Sequence, residues 1–320
     1  MNIHQGLDGL HELPRDCVLS IGNFDGVHRG HLRIVELGRE LRAKCDGRLA
    51  LATFEPHPLT VIKPEKAPPR LTPPALKRSL LAAVGVDDLV ELPPSQEILN
   101  LSAEAFWKIL RDEVQPAHII EGNSFNFGKD RGGTIDSLRD WSRESSVELH
   151  VIDSFEVALL DMQIVDVNSS LIRWLVQQGR ARDAAICLGR PYTIEGTVVE
   201  GSKRGRTIGV PTANMDLSAQ LSPADGVYAA RCMIDHEIYP TAVSIGNLPT
   251  FNGTRTQVEA HLIGFHGDLY GKRIAVDLID WIRDQRKFDG IESLKTQLAR
   301  DFGESKQRFA LDPSRGTVTV

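Results

Sequence analysis

Two histidines three residues apart, His28 and His31, close the run Val18-Leu-Ser-Ile-Gly-Asn-Phe-Asp-Gly-Val-His-Arg-Gly-His31. An apolar strand ends at Ile21, a glycine-punctuated turn follows, and Ile34, Leu37 and Leu41 then mark a helical pattern. A helix N-terminus presents unpaired N–H groups and partial positive charge, so a phosphate fits there. Two imidazoles beside it can meet the charge that builds on a phosphate under attack. Gly30 lets the backbone approach a ligand closely. The run reads as a nucleotide-phosphate site with His28 and His31 as electrostatic partners. Histidines at this spacing also occur on plain helix surfaces and as metal ligands. No Gly-x-Gly-x-x-Gly follows the strand and no Walker A sequence occurs, which disfavours dinucleotide and P-loop folds.

A second set of reactive residue types lies further along. Gly201, Gly205 and Gly209 are four apart, with Lys203, Arg204 and Arg206 among them. Glycines can wrap a loop around anionic oxygens while the basic side chains supply charge, although such a loop is often a plain solvated turn. In Gln257-Val-Glu-Ala-His261, strand alternation places Glu259 and His261 on one face and Val258 and Ala260 on the other. A carboxylate turned into a barrel mouth is a candidate general base, and an exposed face is the plainer reading.

The elements that must hold these residues change texture midway. Strand patterns at Cys17–Ile21, Leu49–Phe54, Leu89–Leu92, His118–Glu121 and Val147–Ile152 alternate with helical ones. The helical patterns are Leu32–Cys45, Pro74–Val84, Ala103–Val114 and Ile135–Ser145. That alternation predicts a parallel sheet covered by helices, with ligands beyond the carboxyl ends of its strands. His28, His57 and Asn126 all fall just past strand ends, His57 between two stiffening prolines. The loop Gly122–Gly133 carries glycines, aromatics and polar groups suited to a flat ring and a phosphate.

Ser169–Leu188 reads as one helix, stopped by Gly189-Arg-Pro191. After it come Ile194–Val199, Val227–Ile234, Ile238–Ile245, Val258–Phe265 and Ile274–Ile279, short strands that predict a small antiparallel barrel, and a helix at Ile291–Phe302. The expected division is therefore an α/β Rossmann-like domain at 1–188 and a β-barrel domain with a C-terminal helix at 189–320. A length of 320 residues accommodates two domains. The net charge of −6 argues against a nucleic-acid partner. Cys17, Cys45, Cys187 and Cys232 lack metal or disulfide spacing and read as reduced thiols. The N-terminus has no basic-then-apolar signal and no apolar run approaches ~18 residues, so a cytoplasmic protein with no membrane partner is expected.

Long segments then tie both halves to known enzymes. Ile21-Gly-Asn-Phe-Asp-Gly-Val-His-Arg-Gly-His31 resembles the His-x-Gly-His nucleotidylyltransferases and, more narrowly, the start of the bacterial bifunctional riboflavin kinase/FAD synthetases. Thr53-Phe-Glu-Pro-His-Pro58, Arg70-Leu-Thr72 and Val167-Asn-Ser-Ser-Leu-Ile-Arg173 are similar to segments of the same family. Gly209-Val-Pro-Thr-Ala-Asn214 resembles the riboflavin kinase signature Gly-x-Pro-Thr-Ala-Asn. Gln257–His261, Gly267–Lys272 and Arg283–Phe288 also match family segments. Three positions depart from the pattern: Ser124 replaces the usual Asp or Asn, Asn168 the first serine of Ser-Ser-Thr, and Ser244 an asparagine.

The resemblance implies two reactions. In the first half FMN would be joined to the adenylyl group of ATP. Gly22, Asn23, Phe24, Asp25, Gly30, Ser169, Ser170 and Arg173 would hold the nucleotide, His28 and His31 would act in catalysis, and His57, Ser124 and Asn126 would face the flavin. In the second half riboflavin would be phosphorylated. Gly201, Lys203, Gly205, Arg206, Gly209, Pro211, Thr212 and Asn214 would hold ATP, with Mg²⁺ on Thr212 and Asn214. Leu269, Tyr270, Arg283 and Phe288 would hold the flavin, and Glu259 would be the base. Two alternatives stay open: a kinase with a weakened adenylyltransferase half, and a flavin-binding regulator without turnover.

Overall fold

The computed structural model describes residues 1–201, 210–217, 220–250 and 253–313, with no side chains between 247 and 255. The chain packs into two compact units, Met1–Pro68 with Pro74–Glu156, and Pro69–Pro73 with Val157–Val320.

In the first unit the strands are β1 (Asn2–Gln5), β2 (Val18–Gly22), β3 (Leu49–Phe54), β4 (Asp88–Leu92), β5 (His118–Gly122) and β8 (Glu148–Ile152), with β6 (Asn126–Phe127) and β7 (Gly133–Thr134) forming a small separate hairpin. The main sheet has the order β1-β4-β3-β2-β5-β8 and every pairing in it is parallel. Helices cover both faces, so the central strands are near-continuous apolar runs. Successive residues divide between two cores. Leu19, Ala50 and Val90 pack with α1 (Gly6–His11), α6 (Ala103–Lys108) and α7 (Ile135–Arg143), while Val18, Leu49, Leu51 and Leu89 pack with α2 (Arg29–Cys45) and α4 (Pro74–Ala83). Between these helices lie the short α3 (Leu59–Ile62) and α5 (Gln96–Leu99). A Cβ at Gly38 would stand 2.5 Å from Leu49 Cδ1, so that glycine sets the close approach of α2 to the sheet.

The edge strand β1 has too few apolar residues to be read from pattern. Polar side chains pin it instead: Asn2 donates to Asp88 at 2.8 Å, and Gln5 donates to Glu91 at 2.8 Å.

The second unit begins with the short strands β9 (Glu156–Ala158) and β10 (Ile164–Asp166), followed by α8 (Ser169–Gln177) and α9 (Ala181–Leu188). The single helix expected over Ser169–Leu188 is thus two. Gly179, at φ +71°, takes the left-handed conformation that ends α8, as Gly189 does for α9. Next come β11 (Tyr192–Val199), β12 (Ala213–Asp216), β13 (Gly226–Ile234), β14 (Glu237–Thr250), β15 (Gly253–Leu262) and β16 (Arg273–Arg283). They close an antiparallel barrel in the order β11-β12-β15-β14-β13-β16, and α10 (Ile291–Leu311) follows. Inside this unit the fully buried Arg231 pairs with Asp277 at 3.0 Å, and Asp277 also accepts from Thr193 at 2.6 Å.

The compact units meet between Glu156 and Val157. Helices α8 and α9 group with the barrel rather than with residues 1–156. So does Pro69–Pro73, whose Arg70 bridges Gln220 and whose Leu71 carbonyl accepts from the Gln220 side chain at 2.9 Å. All four cysteines are free, and burial pushes the Cys17 and Cys232 thiols up to about 12, which leaves them unreactive.

Candidate active sites

In the first unit, His28 is the N-cap of α2 and is buried. Its Nδ1 accepts the His31 backbone N–H at 3.4 Å, and His31 Nδ1 accepts the His28 backbone N–H at 3.3 Å. The rings stack, with centroids 3.6 Å apart and planes inclined by 18°. An Nδ1 that accepts carries no proton, so each neutral imidazole has its proton on Nε2 and presents that atom as a donor. The motif therefore supplies two parallel side-chain donors at a helix N-terminus.

The turn before the pair is held from behind. Phe24 and Val27 both have left-handed φ, +46° and +42°, which costs energy in residues with side chains and persists only where packing over-determines it. Phe24 is buried, and its ring lies 5.1 Å from that of His31. A Cβ at Gly22 would stand 3.3 Å from the Phe24 ring. The Asn23 carbonyl accepts from Thr53 Oγ1 at 2.9 Å and from Lys77 Nζ at 3.5 Å. Lys77, buried on α4, also pairs with Glu55 at 2.9 Å. Glu121 at the end of β5 is fully buried and accepts the Ile21 N–H at 2.8 Å, and burial raises its carboxyl well above the usual range. Sequence reading missed both residues. For Lys77 the available signal was a charge beside Leu76, Leu80 and Leu81 on an apolar helix face.

His28, His57 and Asn126 follow the carboxyl ends of β2, β3 and β5, which are neighbours in the sheet. His57 Nδ1 accepts the Leu59 N–H at 3.1 Å, which fixes its ring. Asn126 donates to the Ser124 carbonyl at 2.7 Å, so this loop turns on the backbone of Ser124 while the Ser124 side chain is exposed. Gly30 is the second residue of α2, and Asp25 is half-buried in the preceding turn.

Ser169, Ser170 and Arg173 are in the other unit, on α8. The cap of that helix is Asn168, whose Oδ1 accepts the Leu171 N–H at 2.9 Å, and not a serine hydroxyl. Asparagine caps as well as serine, so the departure at Asn168 leaves the helix start intact. Arg173 donates to the Pro69 carbonyl at 2.8 Å.

On the barrel, Asn214 pairs in register with Glu259 across β12 and β15. Gln257 donates to Asn214 Oδ1 at 3.0 Å and to Glu259 Oε1 at 2.5 Å, which joins the three side chains. Val258, Ala260 and Leu262 are buried, while Glu259 and His261 are half-buried on the opposite face. Glu259 and His261 thus share one face of β15, opposite Val258 and Ala260, as strand alternation predicts. His261 donates to the Pro211 carbonyl at 2.7 Å and stacks on Phe302 of α10 at 4.3 Å; burial lowers its pKa. A Cβ at Gly201 would stand 2.2 Å from Asn214 Nδ2, so only glycine leaves the Asn214 amide its place. Lys203, Gly205, Arg206 and Gly209 lie outside the described residues.

A cavity of about 320 Å³ brings Pro211 and Thr212 together with Leu269 and Tyr270. Arg283 and Phe288 do not line it. Arg283 makes a two-pronged pair with Asp301 at 3.0 and 2.7 Å and lies 5.8 Å from the Phe288 ring. The residues assigned to the kinase flavin thus fall into two groups.

The FAD synthetase family matches residues 10–164, and the riboflavin kinase family matches residues 188–309. The bifunctional riboflavin kinase/FMN adenylyltransferase of Escherichia coli (strain K12) is 34% identical over 97% of this chain and 99% of that protein. The enzyme of the same name from Pseudomonas fluorescens is 35% identical over 96% and 97%. The one from Bacillus subtilis (strain 168) is 32% identical over 92% of each. A crystal structure described as a macrolide-efflux protein from Streptococcus pneumoniae shares the fold at a TM-score of 0.86 and 28% identity, over 96% of this chain and 99% of that one. Among the described residues, no helix is long and apolar enough to cross a membrane.

A parallel-sheet FAD synthetase part followed by a barrel riboflavin kinase part defines a tandem flavin-nucleotide architecture. The chain belongs to the bifunctional riboflavin kinase/FMN adenylyltransferase family.

Proposed function

We propose that this chain converts riboflavin to FMN on the barrel and FMN to FAD beside the parallel sheet, with ATP as the donor in both steps. The observation that carries the reading is the reciprocal His28–His31 cap in one unit, matched by the joined Asn214–Gln257–Glu259 group in the other.

In adenylyl transfer the FMN phosphate oxygen attacks the ATP α-phosphorus and pyrophosphate leaves. The nucleophile is already anionic, so the protein's work is alignment and charge stabilisation. His28 and His31 supply Nε2–H donors to the developing charge, and the backbone from Gly22 to Asp25, with Gly30, cradles the nucleotide. Ser169, Ser170 and Arg173 serve the same nucleotide, and His57, Ser124 and Asn126 serve the flavin. The functional division falls at Gly189, with residues 1–188 assigned to adenylyl transfer and 189–320 to the kinase, although α8 and α9 pack with the barrel.

In the kinase step Glu259 accepts the proton of the riboflavin 5′-hydroxyl as its oxygen attacks the γ-phosphorus and ADP leaves. Gln257 orients the Glu259 carboxylate. Thr212 and Asn214 offer neutral oxygens, and glycine at 201 lets the Asn214 amide lie close against the backbone; this neutral oxygen donor set fits Mg²⁺ held together with ATP phosphates. The ion would supply charge neutralisation at the transferred phosphoryl group. Leu269, Tyr270, Arg283 and Phe288 are assigned to the flavin. The substrates are riboflavin, FMN and ATP, with no nucleic-acid or membrane partner, and the expected location is the cytoplasm.

Incubation with riboflavin and Mg–ATP, followed by separation of the flavins, tests this. FAD as the end product supports the proposal. Accumulation of FMN alone would establish the kinase-only alternative, and unchanged riboflavin the regulator.

A further inference from the structure

His118, Glu148 and His150 form a group that neither proposed reaction uses. His118 opens β5, and Glu148 and His150 lie on its parallel neighbour β8, the edge strand of the sheet. The register pairs His118 with Glu148 and Ile120 with His150. Period-2 alternation therefore puts all three side chains on one face. Ile120 and Ile152 mark that face as the one packed by α2. The other end of β5 leads to Asn126, so the group lies about 13 Å of strand away from the adenylyltransferase loops.

The spacing of the ligand atoms is that of a metal site. His118 Nδ1 is 3.1 Å from His150 Nε2 and 3.4 Å from Glu148 Oε2, and His150 Nε2 is 3.6 Å from Glu148 Oε1. A tetrahedral ion with bonds of about 2.0–2.1 Å separates its ligand atoms by roughly 3.3–3.4 Å. Both imidazoles are partly buried and the Glu148 side chain is 65% exposed, so the site is held on two sides and open to solvent on the third. The proton between the two rings moves to the other nitrogen of its own ring, leaving two neutral imidazole ligands. Lys44, in the last turn of α2, acts on His150 from the facing helix and opposes a cation there. Glu148 supplies the compensating charge.

We propose that His118, Glu148 and His150 bind one divalent ion of the zinc type, tying the edge strand β8 to β5. Two imidazoles and one carboxylate suit Zn²⁺, Co²⁺ or Ni²⁺ rather than Mg²⁺, which prefers oxygen and retains its water. The site is therefore distinct in chemistry from the one assigned to Thr212 and Asn214.

The test uses the untagged full chain, stripped by chelator and held in excess MgCl₂. Titration with ZnCl₂ in a calorimeter should show one tight equivalent, and zinc should raise the melting temperature by binding only the folded state. His150→Ala and Glu148→Gln should each weaken binding at least ~10-fold, and Lys44→Gln should tighten it. Glu148→Gln changes an exposed side chain, so it preserves the fold if His150→Ala does not. The doubly substituted His28→Ala, His31→Ala protein should keep its equivalent of zinc. No stoichiometric zinc in the wild type, binding unchanged in both His150→Ala and Glu148→Gln, or loss confined to the His28 and His31 variant would each overturn the proposal.

Discussion

The two candidate sites are built in opposite ways. Around His28 and His31 the important contacts are local: a cap, a strained turn and a stacked ring pair, all within ten residues of chain. On the barrel the corresponding group is assembled across strands, Asn214 from β12 with Gln257 and Glu259 from β15. A site made at a helix end is written contiguously in sequence, because the backbone itself supplies much of the geometry. A site made by strand register is scattered, because only the pairing brings its members together. Damage should therefore spread differently: along the backbone in the first, along the hydrogen-bonded side chains in the second.

The largest effect is expected from replacing both His28 and His31 with Ala. Each lost donor should cost on the order of 10²–10³ in the rate of FAD formation from FMN. FMN formation should persist. His28→Ala also removes a cap worth ~1 kcal/mol, whereas His28→Asn keeps a capping acceptor without the imidazole. A slow but thermally unaltered His28→Asn protein would separate the two roles, and FAD synthesis near the wild-type rate in the double mutant would remove the proposed role altogether.

Glu259→Gln probes the scattered site. It preserves size and a partner for Gln257 but removes the base, with an expected loss of about 10²–10⁴ in the rate from riboflavin to FMN. The rate from FMN to FAD, measured on the same protein, should not change. A parallel fall in both rates would make Glu259 a structural residue. Gln257→Leu, which frees Glu259 from its neighbour, should give a smaller fall in the same rate.

Strand and helix periodicity made most of the architecture legible. The strands β2 to β5 and β8 fall within a residue or so of their sequence-derived limits, since buried parallel strands are apolar throughout. Strand β1 was not legible because Asn2 and Gln5 hold it through side chains, nor β12, which is short and follows a proline. Lys77 and Glu121 were not legible as site residues, because their significance is a buried partner far along the chain: Asn23 for one and Ile21 for the other. Glu259 and the face it shares with His261 were legible from strand alternation, whereas its link to Asn214 was not, because only the pairing of β12 with β15 brings the two together.

A fragment test measures how independent the two regions are. Because α8 and α9 group with the barrel, and α9 packs on β11 and β16, a fragment from Val157 onward should fold and make FMN without FAD. A fragment beginning at Leu188 lacks that cover and should melt lower, by about 2–8 °C for each kcal/mol of packing lost. Equal melting temperatures for the two fragments would show that the helices contribute nothing to the barrel.

The smallest effect concerns Glu121, which sharpens the comparison by asking what the local site rests on. Its carboxyl is fully buried beneath the end of β2, with its pKa held well above the unfolded value by loss of hydration. In the window between the unfolded and folded pKa, the folded state holds a proton that the unfolded state has released. Stability must then fall as pH rises through that window, and level off above it. Glu121→Gln cannot ionise, yet its amide oxygen can still accept the Ile21 N–H. The variant should therefore gain on the wild type as pH increases from about 4.5, the ordinary value for Glu. Urea midpoints of both proteins, taken across a pH series, give this difference directly. A difference independent of pH would mean that Glu121 keeps its charge in the folded protein, and that the turn carrying His28 and His31 stands on a buried carboxylate rather than a neutral acid.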